Sequence, residues 1–130
     1  MEKDIIPFDN SEILYRAVLP SKDFWKQDGT VSSGAFKDSN GLSTDRSLDR
    51  PPDICIKFLD MHKNKPGGIV SFPVDICPAR GIILVHDPVC DNDFHTLVLG
   101  GESRKILTSG QAKHLAKHAR IERFGIQLSY

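Results

Sequence analysis

The chain has 130 residues, 39% of them hydrophobic and 26% charged, the balance of an ordinary globular protein with the length of one domain, residues 1–130. Basic and acidic residues both number 17, so the formal net charge is zero and any attraction for an anionic partner has to come from local patches. No apolar run reaches the roughly 18 residues that cross a bilayer, Met1-Glu2-Lys3-Asp4 lacks a signal peptide's form, and three cysteines without C-x-x-C spacing argue against disulfides or a cysteine zinc site.

These features point to a cytoplasmic chain with no membrane contact. In chain order, Glu12 to Leu19 mixes β-formers on both faces and predicts an inner strand that Pro20 closes. Ser21 to Phe24 reads as a short turn, and Trp25 as a residue at the edge of the core. Asp28-Gly29 marks a turn before a second predicted strand, Val31 to Phe36. Lys37 to Arg50 is polar, with Leu42 and Leu48 as its only apolar anchors, and reads as the longest loop; a loop of that length is usually functional or mobile. Pro51-Pro52-Asp53 opens a helix whose apolar stripe, Ile54, Cys55, Phe58 and Leu59, runs to about His62. Strands follow at Gly68 to Val74, Gly81 to His86 and Phe94 to Leu99. Thr108-Ser109 caps a helix over about Gly110 to Arg120, and Ile121 to Leu128 reads as a last strand. That order is not a regular βαβ alternation. It predicts an α+β fold with a small mixed or antiparallel sheet and two helices.

Histidines are the first chemical candidates, as bases and metal ligands near neutral pH. His114 and His118 share a helix face, but no glutamate lies between them, no third ligand follows, and Lys113, Lys117 and Arg120 oppose a cation; no metal or other cofactor is expected. Those bases, with Arg104, Lys105 and Arg123, form a patch able to contact nucleic-acid phosphates, or a solvated helix face. His86 ends one predicted strand and His95 begins the next, across a loop carrying Asp87-Pro88. The loop length suits both rings at one rim of the sheet, with Asp87 fixing a tautomer. The same letters suit a strand-capping hydrogen-bond network. Asp87, Asp91 and Asp93 miss the calcium-loop spacing. Arg16 inside an apolar strand is costly to bury unless it meets a carboxylate or a phosphate, and Ser32, Ser33 and Arg46 supply hydroxyls and a second cation nearby in the pattern. A structural salt bridge from Arg16 to Asp45 or Glu12 explains it equally well.

The runs Leu14-Tyr15-Arg16, Ser32-Ser33-Gly34-Ala35-Phe36-Lys37-Asp38, Gly41-Leu42-Ser43 with Asp45-Arg46, and His86-Asp87-Pro88 with Phe94-His95-Thr96-Leu97-Val98 and Gly100 resemble a family of small bacterial proteins of unassigned function. The likeness covers about residues 13 to 121, and its most specific pieces are the serine–phenylalanine segment and the loop leading to His95. It implies no activity, and it leaves His114 and His118 out. The functional expectation is a polar pocket where Arg16, Ser32, Ser33, Arg46, His86 and His95 converge on a phosphate-bearing ligand, a nucleotide or nucleic acid. In that pocket His95, with His86 and Asp87, does acid–base work. The alternative is a non-catalytic module that meets a protein partner through an apolar patch around Phe24 and Trp25.

Overall fold

Alternation along Ile13–Val18 sends Leu14, Arg16 and Val18 to one side and Ile13, Tyr15 and Ala17 to the other. In the computed structural model, which describes residues 6–62 and 67–123, this segment is β1 and lies inside the sheet. It pairs with β2 (Leu42–Arg46) through Leu14↔Arg46 and Tyr15↔Asp45, and with β3 (Gly68–Pro73) from Ile13↔Pro73 to Val18↔Gly68. With β4 (Ile83–His86), β5 (His95–Leu99) and β6 (Arg120–Arg123) the sheet runs β4-β5-β2-β1-β3-β6, every neighbouring pair antiparallel. Among the described residues, two α-helices, α1 (Pro52–His62) and α2 (Ser109–His118), and three short 3-10 turns complete an α+β fold.

The register sorts the side chains into two layers. On one face Leu14, Val18, Leu42, Val70, Phe72 and Val98 meet Ala112 and Leu115 of α2 and the turn residues Ala35 and Phe36. Phe36 and Phe72 pack edge to face at 6.0 Å. On the other, Tyr15 and Ile69 meet Cys55 and Leu59 of α1. Each fully buried apolar side chain contributes about 1.5–3 kcal/mol, so the α2 face, with the larger cluster, carries most of the core energy. Helix α2 begins at a capping box: Thr108 accepts from the Gln111 amide at 3.1 Å and the Gln111 side chain accepts from the Thr108 amide at 2.9 Å. The Gln111 amide nitrogen then donates to the carbonyls of Arg80 and Gly100, tying the helix start to two loops.

Three expectations are corrected here. Val31 to Phe36 is not a strand: Val31 makes one bridge to Trp25, and Ser33–Phe36 is a 3-10 turn seated so closely that a Cβ on Gly34 would lie 2.9 Å from the Asp23 carbonyl. The polar stretch 37–50 is not all loop, since it holds β2 near the middle of the sheet. Trp25 is 1% exposed and donates its indole N–H to the Leu19 carbonyl at 3.0 Å, while Phe24 packs half-buried against the core, so the apolar patch expected there does not form. Of the last predicted strand, 121–123 lie in β6 and 124–128 fall outside the described residues. No helix among the described residues is long and apolar enough to cross a membrane.

Candidate functional site

The polar letters of β2 are held by partners far away in the chain. Thr44 donates its hydroxyl to the Thr96 carbonyl at 3.0 Å. Asp45, 2% exposed, accepts from the Asn92 side chain at 2.9 Å through one carboxylate oxygen, and its other oxygen is buried without a partner. Arg46 is wholly buried and donates to both Glu12 oxygens at 2.6 and 2.7 Å, to the Pro7 carbonyl at 2.8 Å and to the Ile6 carbonyl, with Phe8 beneath its guanidinium at 4.0 Å. Burial pushes the Glu12 carboxyl up. The Arg46 guanidinium and the Leu48 and Asp9 amides outweigh that and hold it below its ordinary value. Arg46 is therefore a clamp on the segment before β1, and none of its faces is left for a ligand.

Arg16 is likewise committed. Where β1 and β2 part beyond Tyr15↔Asp45, its guanidinium bridges them, donating to the carbonyls of Ala35 and Ser43, each at 2.9 Å. Burial lowers it to about 10, with Asp38 opposing the shift. Neither Asp45 nor Glu12 is its partner; Glu12 belongs to Arg46.

The two histidines part company by strand register. His86↔Thr96 and Asp45↔His95 are opposed pairs, and successive residues of β5 point to opposite faces, so His86 lies on the α2 face and His95 on the α1 face. They share the loop end of the β4–β5 hairpin but not a face, so the rings do not meet. His86, 4% exposed, accepts from the Ile6 amide at Nδ1 (3.0 Å). Its protonated Nε2 faces the Asp93 carbonyl at 2.8 Å, so both nitrogens serve the fold. His95 differs. Nδ1 lies 3.0 Å from the Asp87 carbonyl and 3.1 Å from Asp87 Oδ2, two acceptors that require a proton on that nitrogen. Nε2 is left as an acceptor, and the Ser43 hydroxyl sits 3.2 Å away.

Ser32 and Ser33 lie at a third place, on the α2 side. A surface cleft of about 560 Å³ between α2 and the 26–33 segment is lined by Lys26, Thr30, Ser32, Ser33, Lys113 and Lys117, with Val31 and Ala116 as its apolar part. The hydroxyl protons of Ser32 and Thr30 go to the Asp23 carbonyl and to Asp28, which leaves Ser33 as the lining hydroxyl without a side-chain hydrogen bond among the described residues. No ion pair among the described residues engages Lys26, Lys113 or Lys117.

The expected six-residue pocket thus divides into a clamp (Arg46 with His86 near Ile6), a strand bridge (Arg16), a cationic cleft (Ser32, Ser33) and a relay (His95 with Asp87). Two features were missed in the sequence. Lys113 and Lys117 were visible as a helix patch, and what was missing was their meeting with Ser32 and Ser33. Ser43 gave no signal of its own beyond its place in the Gly41-Leu42-Ser43 run. His114 Nε2 donates to the Ile76 carbonyl at 2.9 Å, and His118 Nδ1 donates to the His114 carbonyl at 3.0 Å. No group of three ligating side chains among the described residues could hold a metal.

No family model, curated protein or solved structure matches the chain.

Proposed function

We propose that the protein binds a phosphate-bearing ligand, a nucleotide or a nucleic-acid strand, in the cleft of Lys26, Ser33, Lys113 and Lys117. One observation carries the reading: among the described residues the ammonium groups of Lys113 and Lys117 have no ion-pair partner, and with Lys26, whose charge Asp28 also feels, they line a hydroxyl-bearing hollow in a chain whose total charge is zero. Local positive potential of that kind attracts anions even on a neutral protein. Lysine acts here as a point charge and Ser33 as a short donor, which suits phosphate without selecting a base. Arg46 drops out of the ligand set because the fold takes its Nε, Nη1 and Nη2 hydrogen bonds, and Arg16 because its Nε and Nη1 hold the Ala35 and Ser43 carbonyls away from the cleft. The free thiols of Cys55, Cys77 and Cys90 support a reducing cytoplasm as the place of action, and the family resemblance supports a bacterial one.

The test is fluorescence anisotropy with a labelled single-stranded oligonucleotide, with a nucleoside triphosphate as competitor, over a salt series. If each lysine neutralises one phosphate, log K falls against log salt with a slope of about −2. Lys113→Glu with Lys117→Glu abolishes binding. Absence of binding at low salt, or unchanged binding by the double variant, removes the reading.

A further inference from the structure

On the opposite face of the sheet from that cleft, three side chains line up as a proton path. Ser43 Oγ lies 3.2 Å from His95 Nε2, and His95 Nδ1 lies 3.1 Å from Asp87 Oδ2. The order is hydroxyl, imidazole, carboxylate, with the tautomer set so that the lone pair of Nε2 faces the hydroxyl. We propose that Ser43 is the nucleophile, His95 the general base and acid, and Asp87 the positioning residue of an acyl-transfer site acting on neutral esters.

Three features of the surroundings fit that chemistry. First, the site is open: Ser43 and His95 are only part-buried and Asp87 is 42% exposed at its side chain, in contrast to the enclosed His86. Second, the floor is apolar. Leu97 stands directly across from Ser43, Val85 across from Leu97, and Ile83 across from Leu99. All four project from the same face and none is fully buried. Such a floor favours a hydrocarbon acyl chain, and the Asp87 carboxylate on the ring disfavours an anionic substrate. Third, Asp45 is opposed to His95 across the strands and keeps one buried carboxylate oxygen without a partner. Cross-strand neighbours on one face stand side by side, so this carboxylate and the Arg50 guanidinium that it interacts with set the charge next to the ring.

The step balances without a cofactor. Ser43 Oγ attacks the ester carbonyl carbon while its proton passes to His95 Nε2. The bond from that carbon to the leaving oxygen breaks, and the leaving alkoxide takes the proton from Nε2. Water then gives a proton to Nε2 as its oxygen attacks the acyl carbon. The acid departs, and Ser43 Oγ regains a hydrogen.

Two measurements decide the matter. The intact chain is treated with an alkyl fluorophosphonate, in which Ser43 Oγ displaces fluoride from phosphorus, and the tryptic peptide Asp38–Arg46 is sequenced by mass spectrometry. Hydrolysis of p-nitrophenyl butyrate is followed in parallel. The expected result is phosphonylation on Ser43 and not on Ser39 of the same peptide, with a saturable esterase rate. Ser43→Ala removes both, His95→Ala lowers both by about 10²–10⁴-fold, and Asp87→Ala lowers kcat with KM unchanged. His95→Gln serves the same arm if the alanine variant fails to fold by circular dichroism. An unlabelled Ser43 in folded protein, or labelling that survives both His95 substitutions, overturns the assignment. Lys113→Glu with Lys117→Glu leaves labelling unchanged, so this site and the phosphate cleft stand or fall separately.

Discussion

Changing Arg46 to methionine keeps most of the side chain's bulk and removes its charge. At full burial the guanidinium meets both Glu12 oxygens, two backbone carbonyls and the Phe8 ring. Without it, Glu12, itself 5% exposed, retains only the Leu48 amide at 3.1 Å and the Asp9 amide at 3.3 Å. Removing one partner of a buried ion pair costs about 3–5 kcal/mol, because the remaining charge is left uncompensated. For a chain of this length that corresponds to a fall in Tm of roughly 10–20 °C. The Ile6 carbonyl and amide are held by Arg46 and His86 respectively, so Arg46→Met also loosens the strap from Ile6 to Phe8. Replacing both partners, Glu12→Leu with Arg46→Met, removes the orphaned charge and restores much of the loss. Urea unfolding of the wild type, both single variants and the double gives the coupling energy directly. An Arg46→Met protein within about 1 kcal/mol of wild type, or a double variant that falls by the sum of the singles, would refute the clamp.

The same pair makes stability depend on pH. Glu12 is held below its ordinary value of 4.5, so its contribution is fully present above that value and is lost as pH falls through the lower folded value. Wild-type Tm therefore drops more steeply than that of Glu12→Gln below about pH 4.5, and parallel curves in thermal melts would contradict the assignment. At the start of α2, Thr108→Ala removes the acceptor for the Gln111 amide and half of the capping box. The expected cost is about 1 kcal/mol by chemical denaturation, and a loss of only a few tenths would show that the Gln111 bonds to Arg80 and Gly100 hold the helix start alone.

Both helices could be read because their signals are local. Pro51-Pro52-Asp53 and Thr108 with Gln111 mark their starts within four residues, and the apolar stripes repeat every turn. β1, β3, β4 and β5 were legible for a similar reason, being runs of Ile, Leu and Val bounded by proline, glycine or polar turns. β2 was not. Its Ser-Thr-Asp-Arg run reads as loop because the compensation of each buried polar group comes from Thr96, Asn92 or Glu12, at least 34 positions away. Conversely, Val31 to Phe36 follows a turn signal and reads as a strand, yet Ser32 answers the Asp23 carbonyl and the chain coils into a turn. Composition reports how polar a segment is; it does not report whether that polarity is satisfied.

The candidate sites divide along the same physical line. Asp87 and His95 are eight residues apart across one turn, so their meeting was foreseeable; Ser43 is 52 residues from His95 and joins it only through the register of β2 on β5. A slip of one residue in that pairing would turn the hydroxyl to the other face. The arginines show the converse. An arginine inside a strand announces that something must balance a buried charge, but a carboxylate, a pair of carbonyls and a phosphate all satisfy that demand equally in the sequence. Arg46 took the carboxylate and Arg16 the carbonyls, so the cations that look most like ligand groups are the ones the fold cannot spare. Cations able to serve a ligand are those whose removal leaves the core intact. The exposed lysines of α2 and Lys26, which line one cleft with Ser33, meet that condition, and no carboxylate among the described residues forms an ion pair with them.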